Sequence, residues 1–336
     1  VPIGYTLYWS SLVLYEDCPK GFLWNRGWGA IDLGRGPGRS KPKPVKSSRH
    51  HAILGIAIQE AIERFYNDRL WQSLTPRQLR NRLLELGEQA FKRELSGSYV
   101  DWRKAPTRDE MEVLVRTAIL GYMRTLQKHR LLGPYTRAEV DLVGYANKYT
   151  PIGGRADTIV RRDDTGITIL DGKNSNRYKA KASSGQPWMT YTDPDQLRWY
   201  ALCFYLAYKK LPDRLGFVYY RFPYGAPMVD LKGEPVLDEN GEQRIEEGVE
   251  WVTYTKEDLE GLRERAIAAR KGMDKQRFEA DPSPNTCRFC DYVTVCPERQ
   301  AQIESNRRRR KGNPLAGTSG FQMLDFEGGP TPVPEG

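Results

Sequence analysis

The chain has 336 residues, 39% of them hydrophobic and 28% charged, and its 52 Lys and Arg outweigh 43 Asp and Glu to give a net charge of +9. That length supplies a sizeable core. A mean hydropathy of −0.66 and a longest apolar run of only Ala201 to Tyr208 exclude a membrane-spanning helix.

The basic balance favours a polyanionic partner, most commonly nucleic acid. The start, Val1-Pro2-Ile3-Gly4, lacks the basic-then-apolar pattern of a secretory signal, so a soluble cytoplasmic protein is the expectation. Five cysteines are an odd, unevenly placed set. In a reducing compartment, clustered cysteines point to metal before disulfides.

Residues 5–28 are rich in Tyr, Trp, Leu and Phe and read as a core-forming segment with a short helix, capped near Ser10 or Ser11 and ended by Cys18-Pro19. Residues 34–51 carry Arg35, Arg39, Lys41, Lys43, Lys46 and Arg49 among Gly and Pro with no acid. This is a basic loop, either a solvated linker or a phosphate-tracking arm. Helical patterns follow over Ala52 to Trp71, from the Thr75-Pro76 cap through Phe91, and from Thr107-x-x-Glu110 to Leu132. His129, near the end of the last, reads as structural.

Strands begin after Pro134. Arg137 to Tyr145 alternates, with Ala138, Val140 and Leu142 on one face and Glu139 and Asp141 on the other. Gly153 to Lys173 holds two β-branched runs around an Asp/Gly turn and reads as a hairpin. Asp157 falls in its first strand. Asp171 and Lys173 end the second, two apart and so on one face. Two carboxylates and an ammonium at one sheet edge suit a hard divalent cation with a water or phosphate beside it. An ordinary hairpin with a surface ion pair carries the same Asp-x-Lys, so this pattern does not decide alone.

Asn174 to Trp188 reads as a polar loop. A helix from Pro194 to Lys209 carries Gln196 and Tyr200 one turn apart, with Cys203 on its apolar face. Leu215 to Phe222 reads as a strand, Asp238 to Gly241 as a peripheral hairpin turn, and Thr255-x-x-Asp258 caps a helix to Gln276. Cys287, Cys290 and Cys296 then form C-x2-C-x5-C, a strong metal signal one ligand short of a tetrahedron. Cys18 is the obvious fourth. Four thiolates suit zinc or a [4Fe–4S] cluster, and spacing does not choose. From Ser305 the chain reads as a disordered basic tail whose apolar island, Phe321 to Phe326, is a passive segment or a docking peptide.

In this order the motifs resemble the PD-(D/E)XK nuclease superfamily. They are most similar to the RecB-type and AddB-type nucleases and the Cas-four-type iron–sulfur exonucleases. The likeness runs from Ser11 to about Pro297. It rests on Cys18-Pro19, on Gly153 to Asp157, on Asp171-Gly172-Lys173, on Gln196-x-x-x-Tyr200 and on the three late cysteines.

The resemblance implies an α/β fold with a central mixed sheet flanked by helices. One nuclease domain would span 1–304, with a helical insertion over 52–132, a catalytic core over 133–222 and a cluster-binding segment over 255–304 joined by Cys18. It implies a structural [4Fe–4S] cluster on Cys18, Cys287, Cys290 and Cys296. It also implies Mg²⁺ or Mn²⁺ on Asp157, Asp171 and the carbonyl of Gly172. Lys173 would attend the attacking water, with Gln196 and Tyr200 holding Lys173 or the DNA.

One departure stands out. Many relatives place a metal-binding His four residues after a Gly on the first long helix, and here Gly55 is followed by Gln59. A neutral amide oxygen is the weaker partner for Mn²⁺, and Glu139 is an alternative ligand. The expected activity is a DNA exonuclease on single strands or duplex ends, in recombination, replication, repair or CRISPR-adaptation-like processing. Trp188, Tyr191, Trp199, Tyr219, Tyr220 and Tyr224 are candidates for base stacking, and most of them fit the core equally well. The alternative is a DNA-end-binding module with weak or absent cleavage, serving a recombination or replication partner protein.

Overall fold

The computed structural model describes residues 5–27, 50–102, 105–173, 193–220, 248–283 and 290–312, with short pieces at 226–227, 235, 237, 239–242, 245–246 and 286–287. The basic loop over 34–49, the loop after Lys173, Trp188, Tyr191, Tyr224, Asp238 and the tail from 313 lie outside the described residues.

The short helix of the opening segment ends at Cys18-Pro19, as expected, with Tyr8 and not Ser10 or Ser11 at its N-cap. A two-residue strand β1 (Leu7–Tyr8) leads into α1 (Trp9–Asp17), and after Cys18 come α2 (Pro19–Phe22) and a π turn over Leu23–Gly27. Pro19 causes the break, since it cannot donate into α1 but fits the first position of the next helix. Next come α3 (His50–Asn67), α4 (Leu70–Ser73), α5 (Pro76–Gly97) and α6 (Arg108–Lys128). The single helix expected to reach Trp71 is interrupted because Arg69 is left-handed at φ 51°. Thr75 with Gln78 and Thr107 with Glu110 form capping boxes that satisfy the first amides of α5 and α6.

Four longer strands then build the sheet: β2 (Arg137–Asn147), β3 (Thr150–Arg162), β4 (Gly166–Lys173) and β5 (Arg214–Tyr219), with α7 (Pro194–Tyr208) between β4 and β5. A small pair β6 (Ala226–Pro227) and β7 (Ile245–Glu246) is peripheral. The sheet edge β8 (Val249–Val252) precedes α8 (Lys256–Asp274), and α9 (Pro297–Gly312) follows the late cysteines. Residues 305–312, expected to open a disordered tail, are helical instead. Straight-chain Arg, Lys and Gln are good helix formers and carry α9 on to Gly312.

The sheet is mixed, as expected: β3 runs antiparallel to β2 and β4, β4 parallel to β5, and β1 parallel to β3. On the edge of β3 away from β2, β4 pairs with residues 158–162 and β1 with Ile152 and Gly153. Residues 154–157 lie in the notch between them.

Each face of the sheet carries one apolar cluster. Leu142, Ala156, Ile169 and Phe217 pack with α1, α7 and α8 around the fully buried Trp199. Ala138, Val160, Leu170 and Val218 pack with α3, α5 and α6. Each fully buried Leu, Ile or Phe here contributes roughly 1.5–3 kcal/mol.

The alternation expected for β2 therefore breaks. Ala138 joins one cluster, while Val140 and Leu142 join the other. Glu139 between them has φ 51°. A left-handed residue inside a strand resets which side faces inward. Strain of this kind concentrates at functional sites.

Candidate active site

Asp193 caps α7, accepting from the Asp195 amide at 3.0 Å, and Pro194 fixes its first turn. This cap sets Gln196 over the C-terminal end of β4. Lys173 Nζ donates to Gln196 Oε1 at 3.0 Å, and Gln196 Nε2 donates to Asp171 Oδ1 at 2.9 Å and to the Tyr200 hydroxyl at 3.1 Å. An ammonium only donates and a carboxylate only accepts, so the amide has one allowed orientation.

Asp171 is nearly inaccessible and ion-pairs with Lys173 through Oδ2. That same oxygen accepts no hydrogen bond of ordinary geometry. The ion pair is real on charge grounds, because a buried carboxylate needs a counter-ion, but it leaves lone pairs of Oδ2 unused. Lys173 Nζ also lies 5.2 Å from the centre of the Phe217 ring.

Asp157, in the notch, accepts from the Gly172 amide through Oδ2 at 2.8 Å. Burial, and then the charge of Asp171, hold the Asp157 carboxyl well above the usual range, against the opposing pull of the Gly172 amide and Lys173. Glu139 faces the same centre. Burial raises its pKa while its bond from Gln59 lowers it. Burial likewise pushes the Tyr200 phenol far up, so it is a neutral hydrogen-bonding group and not a base.

Gln59, on α3, is a bridge. Its Nε2 donates to Glu139 Oε1 at 2.6 Å, and its Oε1 accepts from the Tyr220 hydroxyl at 3.0 Å. The amide oxygen expected to face a metal is thus turned to Tyr220. Trp199, Tyr219 and Tyr220, candidates for base stacking or for the core, are all buried in the core. Tyr220 packs edge-on against Tyr122, whose hydroxyl is 2.7 Å from that of Tyr66. Its own hydroxyl lies where a β-carbon on Gly172 would stand. A tyrosine at a strand end gives no sequence signal for this role.

Gly153 and Gly154 have a packing reason of their own. A β-carbon on Gly154 would come within 2.8 Å of the Tyr200 ring, and Trp199 Nε1 donates to the Gly153 carbonyl at 2.9 Å. Gly154 lets α7 lie close enough for Gln196 and Tyr200 to reach the carboxylates.

The donor set fits Mg²⁺ or Mn²⁺: buried carboxylates, lone pairs left on Asp171 Oδ2 beside its ion pair with Lys173, and no soft ligand. Among the described residues no three His, Cys, Asp or Glu converge into a closed single-ion cage. An open, partly hydrated site of two carboxylates is what Mg²⁺ prefers.

At the other end of the molecule, Cys18, Cys287, Cys290 and Cys296 all line one cavity of about 360 Å³. Cys18 Sγ accepts from the Gly21 amide at 3.4 Å. Burial pushes the thiols of Cys287, Cys290 and Cys296 up. The chain ends are further joined by Tyr292, whose hydroxyl donates to the Trp24 carbonyl at 2.9 Å, and by the Lys20–Glu298 ion pair. Cys203 is buried in the core, as expected.

Residues 9–297 match a sequence family described as the PD-(D/E)XK nuclease superfamily. No curated protein is significantly similar in sequence. Among solved structures, one titled "Crystal structure of SSO0001" aligns at 16% identity over 73% of this chain and 85% of that chain, with a TM-score of 0.28. No helix among the described residues is long and apolar enough to cross a membrane.

Proposed function

This chain belongs to the PD-(D/E)XK nuclease superfamily, and we propose that it is a divalent-metal-dependent DNA exonuclease acting on single strands or duplex ends. The observation that carries this reading is the hydrogen-bonded set of Asp171, Lys173 and Gln196 beside the buried Asp157.

Asp157, Asp171 and the Gly172 carbonyl, with Glu139 alongside, would hold Mg²⁺ or Mn²⁺, which supplies Lewis-acid polarisation of the phosphate. Lys173 holds the attacking water and offsets the charge that builds on the phosphoryl oxygens. Gln196 fixes Lys173 and Asp171 relative to each other, and Tyr200 steadies Gln196. The water oxygen bonds to phosphorus as the ester P–O bond breaks, and the leaving oxygen takes a proton. Gln59 serves this centre through Glu139.

Cys18, Cys287, Cys290 and Cys296 would hold a structural [4Fe–4S] cluster that staples the two chain ends over the core. The four cysteines line one cavity, and four thiolates suit a cluster or a zinc ion; the cluster reading rests on the order of the motifs, and iron and sulfide content tests it. Recombination, replication, repair or CRISPR-adaptation-like processing, with a partner protein, would use such an activity.

The test is degradation of end-labelled single-stranded DNA with Mg²⁺ and with Mn²⁺, on both labelled ends. Full activity in Lys173→Ala would sink the assignment. Salt-dependent DNA binding with no cleavage in either metal would leave the end-binding alternative, which the engaged amide of Gln59 favours.

A further inference from the structure

The face of β3 that carries Asp157 continues past the notch with no described helix over it. Two residues back is Arg155, paired across β2 with Asp141, and two further back is Gly153, flanked in register by Val143 of β2 and Tyr8 of β1. Paired residues point to the same side of a sheet. A β-carbon on Gly153 would lie 3.3 Å from the Tyr8 ring, which puts that ring on this face. The next pair is Pro151 with Tyr145.

All three of these large apolar side chains are exposed: Tyr8 is 42% exposed, Val143 51% and Tyr145 63%. Arg155 donates to Asp141 through Nε at 2.8 Å and Nη2 at 3.3 Å, yet its side chain stays 58% exposed. The Tyr8 phenol is near enough to bear on the Arg155 charge. Aromatic rings and a guanidinium thus line a strip that ends at the carboxylates.

We infer that this strip, Tyr8, Val143 and Tyr145 with Arg155, is the track on which an unpaired nucleic-acid strand lies as it approaches Asp157. The chemistry selects that occupant. Each row of the strip is two strand residues from the next, about 6.6–7 Å, a rise that one extended nucleotide spans. Tyr8 and Tyr145 offer π-faces, which only unpaired bases can stack on, and Arg155, one row nearer Asp157, offers the donors that Asp141 leaves open to the phosphate on that side. A duplex presents its bases stacked on each other and gains nothing from these rings. Overall charge of +9 supports a polyanion. The direction of travel, towards Asp157, rests on the nuclease reading; the binding itself does not.

The experiment measures fluorescence anisotropy of the full chain without divalent metal, using a labelled oligothymidylate, an abasic oligonucleotide of equal length and a blunt duplex. Tyr8→Ala and Tyr145→Ala should each weaken oligothymidylate binding about tenfold. Abasic and duplex binding should stay within about twofold, and Tyr8→Phe and Tyr145→Phe should restore the affinity because the ring remains. Arg155→Ala should reduce the salt slope by about 1. Unchanged oligothymidylate binding in both Ala variants, or equal losses on the abasic strand, overturns the proposal. Failure of the wild type to cleave DNA in any metal counts against the nuclease reading and leaves this binding result standing.

Discussion

The hydroxyl of Tyr220 rests against Gly172, in the space that a β-carbon there would need. From that position it donates to Gln59, which in turn donates to Glu139. The middle residue of Asp171-Gly172-Lys173 is therefore a glycine for a steric reason, and the hydroxyl it admits ties β5 to α3 across the site.

Gly172→Ala drives a methyl group into the Tyr220 hydroxyl. Overpacking of this kind costs about 1–3 kcal/mol, and the displaced Tyr220 releases Gln59. Chemical denaturation should show that loss, with a fall in DNA cleavage. Tyr220→Phe keeps the ring in the core and removes the hydrogen bond, at about 1 kcal/mol. Combining the two changes should recover part of the stability but not the activity.

Lys173→Ala removes the ammonium proposed to attend the phosphate, and turnover should fall about 10²–10³-fold. Gln196→Leu leaves Lys173 present but unheld, and turnover should fall about tenfold. DNA affinity measured without metal should change little in Gln196→Leu. A Gln196→Leu enzyme as slow as Lys173→Ala would argue against an orienting role.

Asp157 has a raised proton affinity in the folded chain, so the fold is favoured while it is protonated. That contribution is complete below the ordinary carboxylate range and is lost as the pH rises through the folded value. In metal-free protein Asp157→Asn should raise the melting temperature at neutral pH by roughly 2–4 °C, the shift that about 1 kcal/mol gives in a large domain. The gain should vanish near pH 4. Added Mg²⁺ should stabilise the wild type and not the variant, as read by differential scanning fluorimetry.

Cys18→Ala removes one proposed cluster ligand and leaves the Cys287–Cys296 segment without its proposed partner near α1. Iron and acid-labile sulfide content should drop, and the melting temperature with it. Cys203→Ala, outside the cavity, should keep the iron and lose only packing, about 1 kcal/mol. Zinc in place of iron in the wild type would overturn the cluster assignment and leave the staple.

Much of the catalytic strand and helix was legible because local periodicity decides it. Asp171 and Lys173 are two apart on one strand, and Gln196 and Tyr200 are four apart on one helix, so each pair had to share a face. The caps Thr75, Thr107 and Thr255 were equally readable, since a hydroxyl three residues before an acid or amide closes a box within its own turn.

The sequence by itself determined these short-range relations, together with the spacing that makes Cys287, Cys290 and Cys296 neighbours. Only the tertiary structure decided that Tyr220 meets Gln59, 161 residues away. It likewise decided that Glu139 leaves the strand alternation at φ 51°, that Trp199 and Tyr219 serve the core, and that Tyr8 and Tyr145 stand in solvent beside the site. The reason is the range of the forces. Backbone hydrogen bonds and side-chain periodicity act within a few residues. Burial acts on whichever surfaces the folded chain brings together, and it sorted the tyrosines into those that hold Gly172 and those left exposed.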